Sequence, residues 1–127
     1  MYKREFIPDG HNLYRRAYPA QYNPKTGRFS TVVFTLRKKE KALKALSVDW
    51  SKYTTPEEAC VDPYGRKFYL GALQAKVPRE HGLEVVHTPT SGNCAHSSIR
   101  GQKLIDSRRL LIADILAENC RPVITVM

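Results

Sequence analysis

The longest apolar pattern in the chain lies between residues 102 and 119. Leu104, Ile105, Leu111, Ile112, Ile115 and Leu116 recur at helical spacing, while Asp106, Arg109, Asp114 and Glu118 fall largely elsewhere. A helix with one apolar stripe must pack that stripe on a second layer. Pro122 closes it. The remaining apolar segments are short and strand-like, so the expected partner layer is a sheet.

Residues 12–18 read as a short strand. Lys25-Thr26-Gly27-Arg28 is a tight turn. Residues 29–36 are rich in β-branched and aromatic side chains and read as the next strand, with Ser30, Val32, Phe34 and Leu36 on its core side. Residues 37–46 hold five basic residues and one acid on a thin apolar stripe, which is a short helix or an ordered basic loop. Residues 47–50 read as a strand. Thr55-Pro56-Glu57-Glu58 is a helix start: Thr55 caps, Pro56 suits the first helical position, and the two carboxylates complement the dipole. Residues 67–77 and 83–87 read as strands around a turn at 78–82. A polar loop follows at 88–93, and residues 123–126 form a last strand. The expected class is α+β: a single domain over residues 1–127, with a mixed or mainly antiparallel sheet, one long C-terminal helix and one short helix. Residues 1–12 and 37–46 are the candidates for mobile segments.

Composition narrows the function classes. No apolar run approaches the roughly 18–20 residues that span a bilayer, so no membrane partner is expected. No secretory signal is visible behind the first charges. Cys60, Cys94 and Cys120 are odd in number and widely spaced, which fits reduced thiols and a cytoplasmic location. There is no phosphate-binding glycine loop and no dinucleotide fingerprint, so no cofactor is expected. The formal net charge of +9 is uneven. Residues 1–53 hold 12 Lys/Arg against 4 Asp/Glu, an excess of eight, and residues 54–127 hold 9 against 8, an excess of one.

The basic half contains Arg15, Arg16, Arg28, Arg37, Lys38, Lys39 and Lys41, interleaved with Tyr14, Tyr18, Tyr22 and Phe29. Cations meet phosphate and rings stack on bases. These residues are therefore the candidate footprint for a nucleic acid or a nucleotide phosphate, with RNA or another single strand as the expected partner. The same charges also serve as a solvated face, or as a patch for an acidic protein partner.

A second constellation lies in the nearly neutral half, from His87-Thr88-Pro89 to Arg100-Gly101. His87, His96 and Arg100 are its candidate catalytic residues. One histidine would deprotonate a 2′-hydroxyl, the other would protonate the leaving oxygen, and the arginine would hold a phosphate. Ordinary polar loops use the same residue types, so the sequence leaves open whether the protein is an enzyme. Gly92-Asn93-Cys94 followed by His96-Ser97-Ser98-Ile99 resembles the nucleophile segment of ovarian-tumour-type cysteine proteases, but no histidine follows His96 to act as the base. The Cys and His spacing matches no zinc site, so no metal is expected.

Leu13-Tyr14-Arg15-Arg16, Gly27-Arg28-Phe29-Ser30, Leu46-Ser47-Val48-Asp49, His87-Thr88-Pro89 and Asn93-Cys94-Ala95-His96 form an ordered series. The series resembles a group of small bacterial proteins of no assigned function. A strand with Arg15 or Arg16, followed by Arg28-Phe29-Ser30-Thr31, is similar to the order in ADP-ribosyltransferase-like folds and their NAD-degrading relatives. That resemblance implies an arginine on the dinucleotide phosphates and a serine-bearing strand along the nicotinamide pocket. Glu84 or Glu118 would be the late acid. The binding and catalytic readings differ in space: the question is whether Arg15 or Arg16, His87 and His96 meet in one cleft.

Overall fold

A period of two runs through the middle of the chain and divides it into an apolar and a polar face. Leu46, Val48 and Trp50 are buried, while Ser47 and Asp49 between them are half-exposed. The computed structural model of the protein describes residues 3–126, so Met1 and Tyr2 of the segment 1–12 lie outside the described residues. In chain order the elements are β1 (Asn12–Ala17), β2 (Tyr22–Asn23), β3 (Arg28–Phe29), α1 (Lys38–Leu43), β4 (Ala45–Trp50), α2 (Pro56–Ala59), β5 (Tyr69–Gln74), α3 (Lys76–Glu80), β6 (Glu84–His87), β7 (His96–Arg100), α4 (Arg109–Glu118) and β8 (Arg121–Ile124). Six strands form one sheet in the order β6-β7-β4-β1-β5-β8, and every pairing is antiparallel. β2 and β3 form a separate hairpin. The protein is a single α+β domain.

Leu13, Leu46, Val48, Trp50, Leu73, Val85 and Ile99 share the core with Ile112, Ala113, Leu116 and Ala117 of α4. Each buried Leu, Ile or Val side chain contributes about 1.5–3 kcal/mol over an exposed position. The opposite face is covered at one end only, where Tyr14, Leu70 and Ala72 meet Ala59 and Cys60. Gly71, between Leu70 and Ala72, faces the other way, into the main core, and leaves room there for Phe29 and Cys120. A Cβ there would run into Cys120 Sγ and lie 2.9 Å from Phe29 Cε2. The β5–β8 register shifts at the same place, between Leu70 and Gly71.

Several elements differ from expectation for local reasons. Residues 29–36 are not a strand beyond Phe29. Ser30 Oγ accepts from the Val32 N–H at 3.3 Å and caps a 3-10 turn over Thr31–Phe34. Val33 and Phe34 are buried side by side, and Val32 of the expected inner set is 50% exposed. The helix expected over 102–119 is interrupted. A 3-10 turn covers Gln102–Leu104, and the Asp106 carboxylate then accepts from the Arg108 N–H at 2.8 Å, which starts α4 late. The expected turn at 78–82 is the second half of α3 and its exit, because Pro78 sits early enough to need no helical hydrogen bond. Residues 96–100, which the sequence pattern gives no element, form β7. The basic segment 37–46 is α1, which Lys44 ends in the left-handed conformation. Pro122 does not end α4, which Asn119 caps. Pro122 lies on the edge strand β8, where its missing N–H is tolerated. Among the described residues, no helix is long and apolar enough to cross a membrane.

Candidate functional site

The uncovered end of the sheet is where functional side chains gather. Alternation in β1, β4 and β7 turns Arg16, Ser47, Asp49, His96 and Ser98 away from the core. Cross-strand register then places Tyr14 opposite Asp49, Asp49 opposite His96, and Ser47 opposite Ser98. Arg37, the residue before α1, reaches over them and donates from Nη2 to the Arg16 carbonyl at 2.6 Å. These groups line a small pocket of ≈ 50 Å³. At Arg16 and Asp49 it opens into a wider one of ≈ 270 Å³ that runs toward α2 and Asn93.

The polar contacts fix each group. His96 Nδ1 lies 2.9 Å from Thr88 Oγ1 and 3.0 Å from the Thr88 carbonyl. A carbonyl only accepts, so Nδ1 carries a proton, and Nε2 faces Ser47 Oγ at 3.4 Å. Asp49 Oδ1 accepts from Asn93 Nδ2 at 2.7 Å, and Asn93 Oδ1 accepts from the Ala95 N–H at 3.0 Å, which ties the loop before β7 to the floor of the site. Arg16 donates to the Val61 carbonyl at 3.1 Å and lies 6.0 Å over the Phe68 ring. That ring is 5.4 Å from Tyr18, which is 55% exposed. Arg37 keeps much of its surface in solvent, yet its guanidinium is packed closely enough to be pushed down to about 10, by desolvation first and by the Arg15 charge second. It remains a cation at neutral pH.

Arg15 forms part of the wall of the small pocket, and the remaining candidates fall outside it. Arg15 is 2% exposed, on the core face of β1. Its Nε donates to the Val33 carbonyl at 2.8 Å, and the rest of its fork goes to Ser47 O, Thr35 O and the Glu40 carboxylate. All five N–H donors of its guanidinium are committed, so it offers nothing to a phosphate. Glu40 also accepts from the Arg37 and Ser47 N–H groups, at 2.9 and 2.6 Å. Burial opposes its charge, but Arg15 and these backbone donors outweigh burial and hold its carboxyl below the ordinary value.

His87 is 1% exposed, also on the core face. It pairs with Ser97, next to His96 in sequence, so the sheet itself separates the two rings. Its Nδ1 accepts from the Glu5 N–H at 3.1 Å and its Nε2 donates to the Cys94 carbonyl at 2.7 Å. Trp50 packs against it edge-on and Tyr53 stacks on it. His87 is thus a satisfied core histidine, and a His87/His96 acid–base pair is ruled out by geometry. Arg100 lies on the open face but farther along β7, opposite Ala45 and Glu84. Arg28 is exposed on β3, 3.7 Å from Glu118, in a different part of the surface. Lys38, Lys39 and Lys41 are exposed on α1. Cys94 is exposed. Among the described residues, no group of three His, Cys, Asp or Glu side chains is placed to hold a metal ion.

Of the sequence candidates, then, Arg16, Arg37 and His96 come together, with the fully bonded Arg15 in the wall behind them. Asp49, Ser47 and Phe68 join them unforeseen. The signal for two of these was present: Leu46-Ser47-Val48-Asp49-Trp50 alternates strictly, and its polar members had to face away from the core. Compared with protein-family models, with curated proteins and with solved structures, the chain matches none.

Proposed function

We propose that the protein binds single-stranded nucleic acid, RNA foremost, across the open face of its sheet. The observation that carries this reading is the convergence of Arg16 and Arg37 with the Tyr18–Phe68 ring pair at one edge of that face. Two guanidinium groups supply the phosphate end, where planar forks outperform ammonium groups. The exposed Tyr18 ring supplies a stacking surface that any base can use. Ser47, Ser98 and His96 supply hydrogen bonds along the strands. Asp49 repels phosphate and accepts from an amino group or a 2′-hydroxyl, so it orients the strand with its backbone at the arginines and a base edge or ribose toward β4.

A second reading rests on His96. Its Nδ1 is anchored by Thr88 and its Nε2 faces the pocket, an orientation suited to a general base. In that case bound RNA would be cut, with Arg16 or Arg37 stabilising the charge that develops on the phosphate. The histidine partner assumed for this chemistry, His87, is not in the pocket, so any activity depends on His96 alone among the histidines.

Fluorescence anisotropy with a labelled oligouridylate tests the binding reading. The protein retains the RNA at low salt, and Arg16→Ala and Arg37→Ala each weaken binding without unfolding the protein. Tyr18→Ala weakens it by about 1–3 kcal/mol, the worth of one stacked base. No retention at about 50 mM salt, or retention that ignores all three substitutions, overturns the proposal. Incubating the same RNA and reading its length separates the second reading, since only catalysis shortens it and His96→Ala then stops the shortening.

A further inference from the structure

The basic segment serves two surfaces, and the second is not the nucleic-acid face. Arg37 leans toward Arg16, whereas Lys41 and Lys44, near the other end of α1, line a groove of ≈ 440 Å³ between α1 and the start of α4. Its floor is aliphatic, made of Leu36, Leu104 and Ile105. Its rim is cationic, with Arg109 facing the two lysines. The residues lining it include neither an acid nor an aromatic ring. Leu104 is buried at the base, and Ile105 is 37% exposed. The volume lies within the roughly 300–1,000 Å³ range of pockets that enclose a ligand.

Lys44 supplies a second observation. It is the only non-glycine residue with positive φ among the described residues, at φ 54° and ψ 38°. It ends α1 in the position where glycine is the ordinary occupant. A lysine there forgoes backbone comfort and holds its ammonium at the groove.

We propose that this groove docks an acidic segment of a partner protein, whose aliphatic side chains enter between α1 and α4 while its carboxylates meet Lys41, Lys44 and Arg109. An aliphatic floor without a ring gives a nucleic-acid base nothing to stack on. A recessed floor is also poorly reached by a flat lipid surface. A peptide with alternating acidic and aliphatic groups matches both the floor and the rim. The surface is separate from the Arg16–Arg37 pocket, so it does not depend on the nucleic-acid reading.

The test is selection of a random peptide display library on the full-length protein, with a Lys41→Glu/Lys44→Glu/Arg109→Glu variant as a parallel target. Selected sequences are expected to combine Asp or Glu with Leu, Ile or Val. They should lose about tenfold or more in affinity on the reversed variant. Lys44→Gly guards against misfolding, because it relieves the backbone: the denaturation midpoint rises while peptide affinity falls. The proposal is overturned if selection yields no acidic–aliphatic sequences, or if the selected peptides bind the reversed variant equally well. It is also overturned if the reversal abolishes sedimentation with phosphatidylserine vesicles or retention of oligouridylate while no peptide is selected, since the groove then serves a lipid or RNA.

Discussion

Arg15 and Arg16 are neighbours in sequence and point to opposite faces of β1. Nothing in the dipeptide says which one enters the core. The answer lies at Glu40, the one acid in a run of bases, which accepts four hydrogen bonds from Arg15, Arg37 and Ser47. Sequence shows Glu40 as an exception in its charge run and cannot show that a buried guanidinium waits for it. Breaking one side of such a pair costs about 3–5 kcal/mol, because the other charge stays buried and alone. Glu40→Gln should therefore unfold at much lower urea concentration, and Arg15→Met/Glu40→Leu should not restore stability fully, because the backbone groups bonded to both side chains lose their partners. The pH dependence has a definite sign. A carboxyl held below its unfolded pKa adds stability above that value and loses it as pH falls through the folded one. Stability should decline below the ordinary value of 4.5, and urea titrations from neutral pH downward should show a shallower decline in Glu40→Gln. The two histidines divide in the same way. His87→Ala should lower stability and leave oligouridylate affinity intact, whereas His96→Ala should do the reverse.

Among the elements, the legible ones are those whose burial pattern and capping agree. The α2 start was readable because Thr55 caps it, accepting from the Glu58 N–H, and Pro56 opens it. β4 and β6 were readable from their apolar content. β7 was not, because a strand that lines a polar face carries His96, Ser98 and Arg100 there, and Ser97 on its inner side hides the alternation. Residues 29–36 misled for the opposite reason. Their β propensity is real, but Ser30 binds the Val32 N–H and Arg15 takes the Val33 carbonyl, so local and tertiary bonds claim the backbone first. Removing that cap with Ser30→Ala should cost about 0.5–2 kcal/mol in chemical denaturation. At the end of α1, Lys44→Gly should gain about 1 kcal/mol, since a non-glycine residue in the left-handed region carries a penalty of that order. A loss of stability in Lys44→Gly would show that the lysine side chain supports the fold.

On the scale of the whole molecule, the charge of +9 makes a general attraction to any polyanion the competing explanation for every binding result. The fold separates that attraction from a site. The sheet has one face closed by α4 and one face open except at the end covered by Ala59 and Cys60, and the start of α1 holds Arg37 at the open face while Lys41 and Lys44 go to the groove. A general field does not distinguish these cations, because removing any two of them lowers the net charge equally. A site does distinguish them. Each cation that neutralises a phosphate of a single strand contributes about 0.7 to the slope of log affinity against log salt. Arg16→Ala/Arg37→Ala should therefore flatten that slope by about 1.4 for oligouridylate. Lys41→Ala/Lys44→Ala should leave it nearly unchanged, although the two variants carry the same net charge. Equal slopes in the two variants would mean that the protein binds RNA through its overall charge, and the open face would lose its claim to be the site.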